Sequence, residues 1–277
     1  MESLRKPRRR GVRAVLLGAA LLATAALVPA TAASAVTTIV GNSAVKPTIV
    51  LVHGAWADGS SWARVVSRLQ HDGYTVDVPP NPLRGSASDS SYLASYLSTI
   101  SGPIVLVGHS YGGFVITNAA TGNANVKALV YVDAFIPAQG DTLNALTGQF
   151  PGSQITPDAL NFVPSAGGVV DAYVNPEQFR SILANDLSPA QAAQLAATQR
   201  PLAASALTET SGKPAWSSIR SWDVVGTVDH AIPPAAQEFM AERAGATVTK
   251  IDASHLSMIS HPDKIRDVIE DAAHHTA

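Results

Sequence analysis

The sequence predicts an α/β protein with a mostly parallel central sheet flanked by helices, and three observations carry that reading. Residues 47–52 (PTIVLV), 103–107 (PIVLV) and 126–132 (VKALVYV) are near-continuous apolar, β-branched runs, the pattern of strands buried on both faces. Helical patterns separate them, and strands alternating with helices imply βαβ units and a parallel sheet. At 277 residues, 46% of them hydrophobic, the chain can bury one large core.

The first 35 residues stand apart. Arg5, Lys6, Arg8, Arg9, Arg10 and Arg13 form a basic start, 15–28 is an almost unbroken apolar stretch, and Ala33-Ser34-Ala35 offers a small-residue cleavage site. This is the pattern of a secretory signal peptide, and the apolar stretch is short for a membrane span. We therefore expect 1–35 to be a signal peptide cleaved near Ala35, and 36–277 to be a secreted domain. An uncleaved anchor is the alternative, and Arg9-Arg10 leaves the export route open. The segment holds six of the 19 basic residues and one of the 21 acidic ones. That leaves 13 basic and 20 acidic residues, a net charge of −7. Such a domain has no electrostatic reason to bind nucleic acid, or a membrane once the signal is cleaved. The absence of cysteine excludes a disulfide framework, a thiolate nucleophile and cysteine-ligated metal.

Along the domain, 47–52 leads into His53-Gly54-Ala55 and a helix over 61–70. A second strand is expected over 74–78, a loop from Asn81 to Ser90, and a helix over 91–100. The strand at 103–107 is followed at once by GHSYGG and an apolar helix to Ala120. After 126–132 the rhythm breaks. From about 137 to 218 no strong strand is expected, only helical patches such as 188–199, which Ser188-Pro189 begin and Pro201 stops. Such an insertion reads as a cap. The α/β pattern resumes with a strand at 221–226, a helix at 233–244, a strand at 247–251 and a helix at 262–273.

Gly108-x-Ser110-x-Gly112 lies between an expected strand and an expected helix, the context a nucleophile elbow requires. The turn is tight enough to strain the serine backbone, so small neighbours are needed. Ser110 would then stand above the sheet with a helix N-terminus behind it. A serine hydroxyl needs a base. Among eight histidines, His255 follows the last expected strand and satisfies the chain order Ser…acid…His. His261 precedes Pro262 and competes less well, while His53 and His109 fit backbone-positioning roles. The acid is expected at Asp229, after the strand at 221–226. Asp133, at the end of VKALVYV, could also reach the histidine, and Asp252 reads as structural. Two backbone N–H groups should hold the developing oxyanion: Tyr111, after the nucleophile, and Ala55, after the first strand.

These residues resemble the α/β-hydrolase superfamily, and within it the branch of small methyl esterases and hydroxynitrile lyases. The match runs through VLVHGA, VLVGHSYGG, ALVYVDAFIP, SPAQAAQLAATQRP, GTVDHAIP and SHLSMISHP. It implies the α/β-hydrolase fold with a helical cap, a triad on Ser110, Asp229 and His255, and oxyanion donors at Ala55 and Tyr111. The lyases of that branch carry threonine at the position of Gly54 and lysine at that of Leu256, so the resemblance implies the ester-cleaving side. Asp133 departs from relatives, which carry a small residue there. The expected function is hydrolysis of small to medium apolar carboxylic esters through an acyl-enzyme, without cofactor or metal; no H-E-x-x-H or similar ligand cluster appears. A carbon–carbon lyase using the same triad and a catalytically silent binding protein are the alternatives. Phe150, Phe162, Tyr173 and Phe179 are expected as pocket liners or as packing of the cap.

Overall fold

A computed structural model describes residues 45–276; the expected signal peptide lies outside them. The central sheet has six strands in the order β2-β1-β3-β4-β8-β9, all neighbours parallel. They are β1 (Thr48–Val52), β2 (Val76–Asp77), β3 (Ile104–His109), β4 (Val126–Val132), β8 (Arg220–Gly226) and β9 (Thr247–Ile251). Every side chain of β3 is buried, as its unbroken apolar run requires of a central strand.

Helices cover both faces of the sheet. α1 (Ala63–His71) and α9 (Pro262–His274) pack together, and α2 (Ser86–Leu97) packs with α3 (Tyr111–Ala119). α9 starts with Pro262 at its first turn and buries Ile265, Val268, Ile269 and Ala272, a stripe at i, i+3, i+4 and i+7. α7 (Pro234–Ala244) lies on β8 and β9, and the short α8 (Ser257–Ser260) precedes α9.

α2 begins five residues before the expected start, so 86–90 is not loop. The Glu209 carboxylate accepts from Ser86 Oγ at 2.9 Å and the Ala87 amide at 3.1 Å. A residue more than a hundred positions away caps this helix, which is why a serine-rich stretch reads locally as loop.

Between β4 and β8 the chain forms the insertion. It contains α4 (Leu143–Gly148), α5 (Pro176–Leu183) and α6 (Pro189–Thr198). Ser188 caps α6 by accepting from the Gln191 amide at 3.3 Å, as its sequence signature predicts. The expectation of no strand fails here. β5 (Leu160–Pro164), β6 (Val170–Val174) and β7 (Leu202–Ala203) form a three-stranded antiparallel sheet. β5 is an exposed edge ending in proline, a composition that sequence patterns demote. Trp216 donates its indole N–H to the Pro137 carbonyl at 2.8 Å, tying the two ends of the insertion together.

Strand order reverses between β1 and β3, because the chain runs outward to β2 on one side and to β4, β8 and β9 on the other. The carboxyl ends of β1 and β3 therefore flank a topological switch point, where open α/β sheets place their ligands.

Candidate active site

The loop leaving β3 carries Ser110 at φ 53° and ψ −123°, a conformation that a non-glycine residue adopts only when its surroundings enforce it. A Cβ added at Gly108 would lie 2.6 Å from the Gly112 carbonyl oxygen, so the residue entering the turn has no room for a side chain. Ser110 directly precedes α3, whose first turn places the helix N-terminus behind the hydroxyl.

His255 follows β9 and is 2% exposed. Its Nε2 lies 2.8 Å from Ser110 Oγ, and its Nδ1 lies 2.8 Å from Asp229 Oδ2. The structure thus brings together three residues from the ends of β3, β8 and β9. Asp229 is also buried. Its Oδ1 accepts from the Ala231 amide at 2.7 Å and the Ile232 amide at 3.0 Å, and Oδ2 accepts from Gln237 Nε2 at 2.8 Å. Burial pushes the carboxyl upward while these donors oppose that shift. Burial lowers His255 from 6.5 to about 3, so the imidazole is neutral at neutral pH. With Nδ1–H donated to Asp229, Nε2 is left to accept the serine proton.

Both other motif histidines hold backbone. His53 donates Nδ1–H to the Gly54 carbonyl at 2.9 Å and accepts the Asn81 amide on Nε2 at 3.1 Å. His109 donates Nε2–H to the carbonyl of His255 at 2.8 Å. Burial lowers both rings, which fixes them neutral. Asp133 makes no hydrogen bond to His255; it accepts from Ser257, two residues further on. Asp252 is exposed, just past β9.

Ala55 and Tyr111 follow β1 and β3 at the switch point and are buried. Neither amide is engaged by an acceptor among the described residues. Tyr111 is fixed from its far end, where its hydroxyl donates to Asp89 Oδ2 at 2.8 Å. The insertion grips the neighbouring loops as well. Asp186 accepts the Ser254 amide at 3.1 Å and also its hydroxyl, and Asn185 donates to the Val228 carbonyl at 3.1 Å. Sequence reading gave Asn81, Asp89, Asp186, Gln237 and Ser257 no role at the site. All but Gln237, which meets Asp229 eight residues away, are found only through partners far along the chain.

A pocket reaches His255 between the β1 loop and the insertion, lined by Ala55, Trp56, Phe179, Leu183, Leu195 and Leu256 among others. Of the four aromatics expected there, Phe179 is a liner. Phe150 packs on Phe239 with ring centroids 5.5 Å apart, Phe162 is exposed, and Tyr173 borders a groove on the insertion away from His255.

A parallel sheet with a strained serine at its switch point and a late histidine beside it defines the class of α/β-hydrolases. The chain belongs to the alpha/beta hydrolase family, whose model matches residues 49–268. It is similar to a carbendazim hydrolyzing esterase of Nocardioides sp. (strain SG-4G), 36% identical over 110 residues, which are 35% of this chain and 46% of that esterase's length. It is also similar to a pyrethroid hydrolase of Sphingobium wenxiniae, 26% identical over 249 residues, covering 81% of this chain and 87% of that protein. Among solved structures, polyneuridine aldehyde esterase superposes with a TM-score of 0.70 at 19% identity, over 82% of this chain and 98% of the other.

Proposed function

We propose that this protein is a serine hydrolase that cleaves carboxylic esters of small to medium apolar substrates through an acyl-enzyme. The observation that carries the reading is the unbroken chain of hydrogen bonds Ser110–His255–Asp229, each link 2.8 Å. His255 Nε2 takes the proton of Ser110 as Oγ adds to the ester carbonyl carbon. The amides of Ala55 and Tyr111 hold the resulting oxyanion; one such donor contributes about 3–4 kcal/mol to a transition state. His255 then passes the proton to the departing alcohol, leaving Ser110 acylated. Water adds to the acyl carbon, His255 accepts its proton, and the carboxylic acid leaves as that proton returns to Oγ. Asp229 holds the tautomer and stabilises the imidazolium. Likeness to a carbendazim hydrolyzing esterase and a pyrethroid hydrolase supports ester chemistry, and Gly54 and Leu256 support the esterase over the lyase side of the resembled branch. Residues 1–35 are proposed to direct export and to be removed, which N-terminal sequencing of the exported protein would check.

The test is active-site labelling with a fluorophosphonate together with a panel of p-nitrophenyl esters. Wild type should label and turn over esters, and Ser110→Ala should do neither. A wild type that does neither overturns the proposal in favour of a binding protein on this fold.

A further inference from the structure

The pocket at His255 has a free volume of about 20 Å³, room for about one water. Most of its walls are ordinary packing. Phe179 and Leu183 sit on α5 and are buried in the insertion. Trp56 is built differently. Its φ is 57°, a region that bulky L-residues avoid. It is 6% exposed and directly follows Ala55. Both of its N–H groups reach the insertion: the backbone amide donates to the Arg200 carbonyl at 3.1 Å, and the indole Nε1–H donates to the Ala172 carbonyl at 2.9 Å. A strained conformation persists only where its surroundings over-determine it. Here two carbonyls of the insertion, one of them on β6, hold the largest side chain available against the pocket, next to the proposed oxyanion amide.

We propose that Trp56 sets the size limit of the substrate, so that the protein prefers esters of short acyl chains and excludes long ones. The inference rests on the serine-esterase reading and names its substrate class. The strain itself supplies a suitable probe, because glycine adopts φ 57° freely and leaves the ring's volume open. kcat/KM would be measured with p-nitrophenyl acetate and p-nitrophenyl octanoate for wild type, Trp56→Gly and Trp56→Phe. Wild type should strongly favour acetate. Trp56→Gly should lower the acetate-to-octanoate ratio about tenfold or more, through a gain on octanoate, since pocket volume of a methylene or two discriminates by that much. Trp56→Phe, which keeps a smaller ring in place, should shift the ratio in the same direction but by less than Trp56→Gly. If Trp56→Gly loses acetate turnover, Trp56→Leu is put through the same comparison and must shift the ratio in the same direction. An active Trp56→Gly or Trp56→Leu with an unchanged ratio overturns the inference alone. A wild type that cleaves neither ester overturns the esterase reading, and this inference with it.

Discussion

Asp133 accepts both the backbone amide and the hydroxyl of Ser257, gripping the chain two residues beyond His255 without a hydrogen bond to the imidazole. Two buried carboxylates thus serve one loop in different ways. Asp229 addresses the ring, and Asp133 addresses the backbone that follows it. Burial and the nearby Asp229 push the Asp133 carboxyl well above the usual carboxylate range.

This division predicts unequal consequences for two isosteric changes. In Asp229→Asn, the amides of Ala231 and Ile232 retain the side-chain oxygen and turn the new NH2 toward His255. Nδ1 must then accept, Nε2 carries the proton, and Ser110 loses its base. The expected loss in kcat is about 10³–10⁴-fold. Asp133→Asn keeps an acceptor for Ser257 and should stay within about tenfold of wild type. Steady-state kinetics on one p-nitrophenyl ester compares them, and a more damaging Asp133→Asn would reassign the acid.

The pH profile follows from the burial of His255. On the proposed mechanism the base works as neutral imidazole; burial lowers it from 6.5 to about 3, so the acid limb of kcat/KM should lie below 6.5. Stability has a related sign. The unfolded chain binds this proton below pH 6.5 and the folded chain does not, so this group costs stability as pH falls through 6.5. An acid limb at or above 6.5 would contradict the neutral, desolvated base.

Tyr111→Phe removes only the hydroxyl that donates to Asp89. If that bond aims the Tyr111 amide at the oxyanion, kcat should fall about tenfold, with KM changing less than about twofold. Equal loss in kcat/KM through KM alone would make the bond a packing feature.

Asp223 is buried in β8 with neither carboxylate oxygen hydrogen-bonded. Burial and Asp133 raise it well above its usual value. The folded chain holds this proton to higher pH than the unfolded chain, which ionises above about 3.8, so wild-type stability is lost as pH rises past that point. Asp223→Leu should stabilise at pH 8 by about 1–3 kcal/mol, and thermal scans should show the gap shrinking toward pH 4. A gap independent of pH would refute this.

A Cβ at Gly54 would lie 2.7 Å from Ser110 Cβ and 2.8 Å from His109 Nδ1. The threonine carried there by the resembled lyases would therefore push on the nucleophile itself. Gly54→Thr is expected to reduce ester turnover more than about 100-fold, read in the same assay, rather than to convert the chemistry.

The elbow was legible because its signal is local: an apolar run, three glycines around a serine, and an apolar helix. Chain order singled out His255 and Asp229 in the same way, by their places after particular strands. What sequence reading missed is held by distant partners. The first turn of α2 depends on Glu209, and Asp186 meets Ser254 only after folding. The strands of the insertion were hidden for a related reason. Leu160–Pro164 lies on an exposed edge, so no burial pattern marks it, and its pairing with Val170–Val174 is set by register rather than composition.

Ser110 and the histidine that would deprotonate it lie 145 residues apart, and β9, which delivers that histidine, is the last strand among the described residues and sits at the sheet's edge. A growing chain that has not yet reached residue 255 carries Ser110 as an alcohol without that base, a weak nucleophile. The hydrogen-bonded trio forms only once β9 pairs with β8 and the loop after it carries His255 to Ser110. On the proposed function, a copy truncated before β9 would leave esters uncleaved.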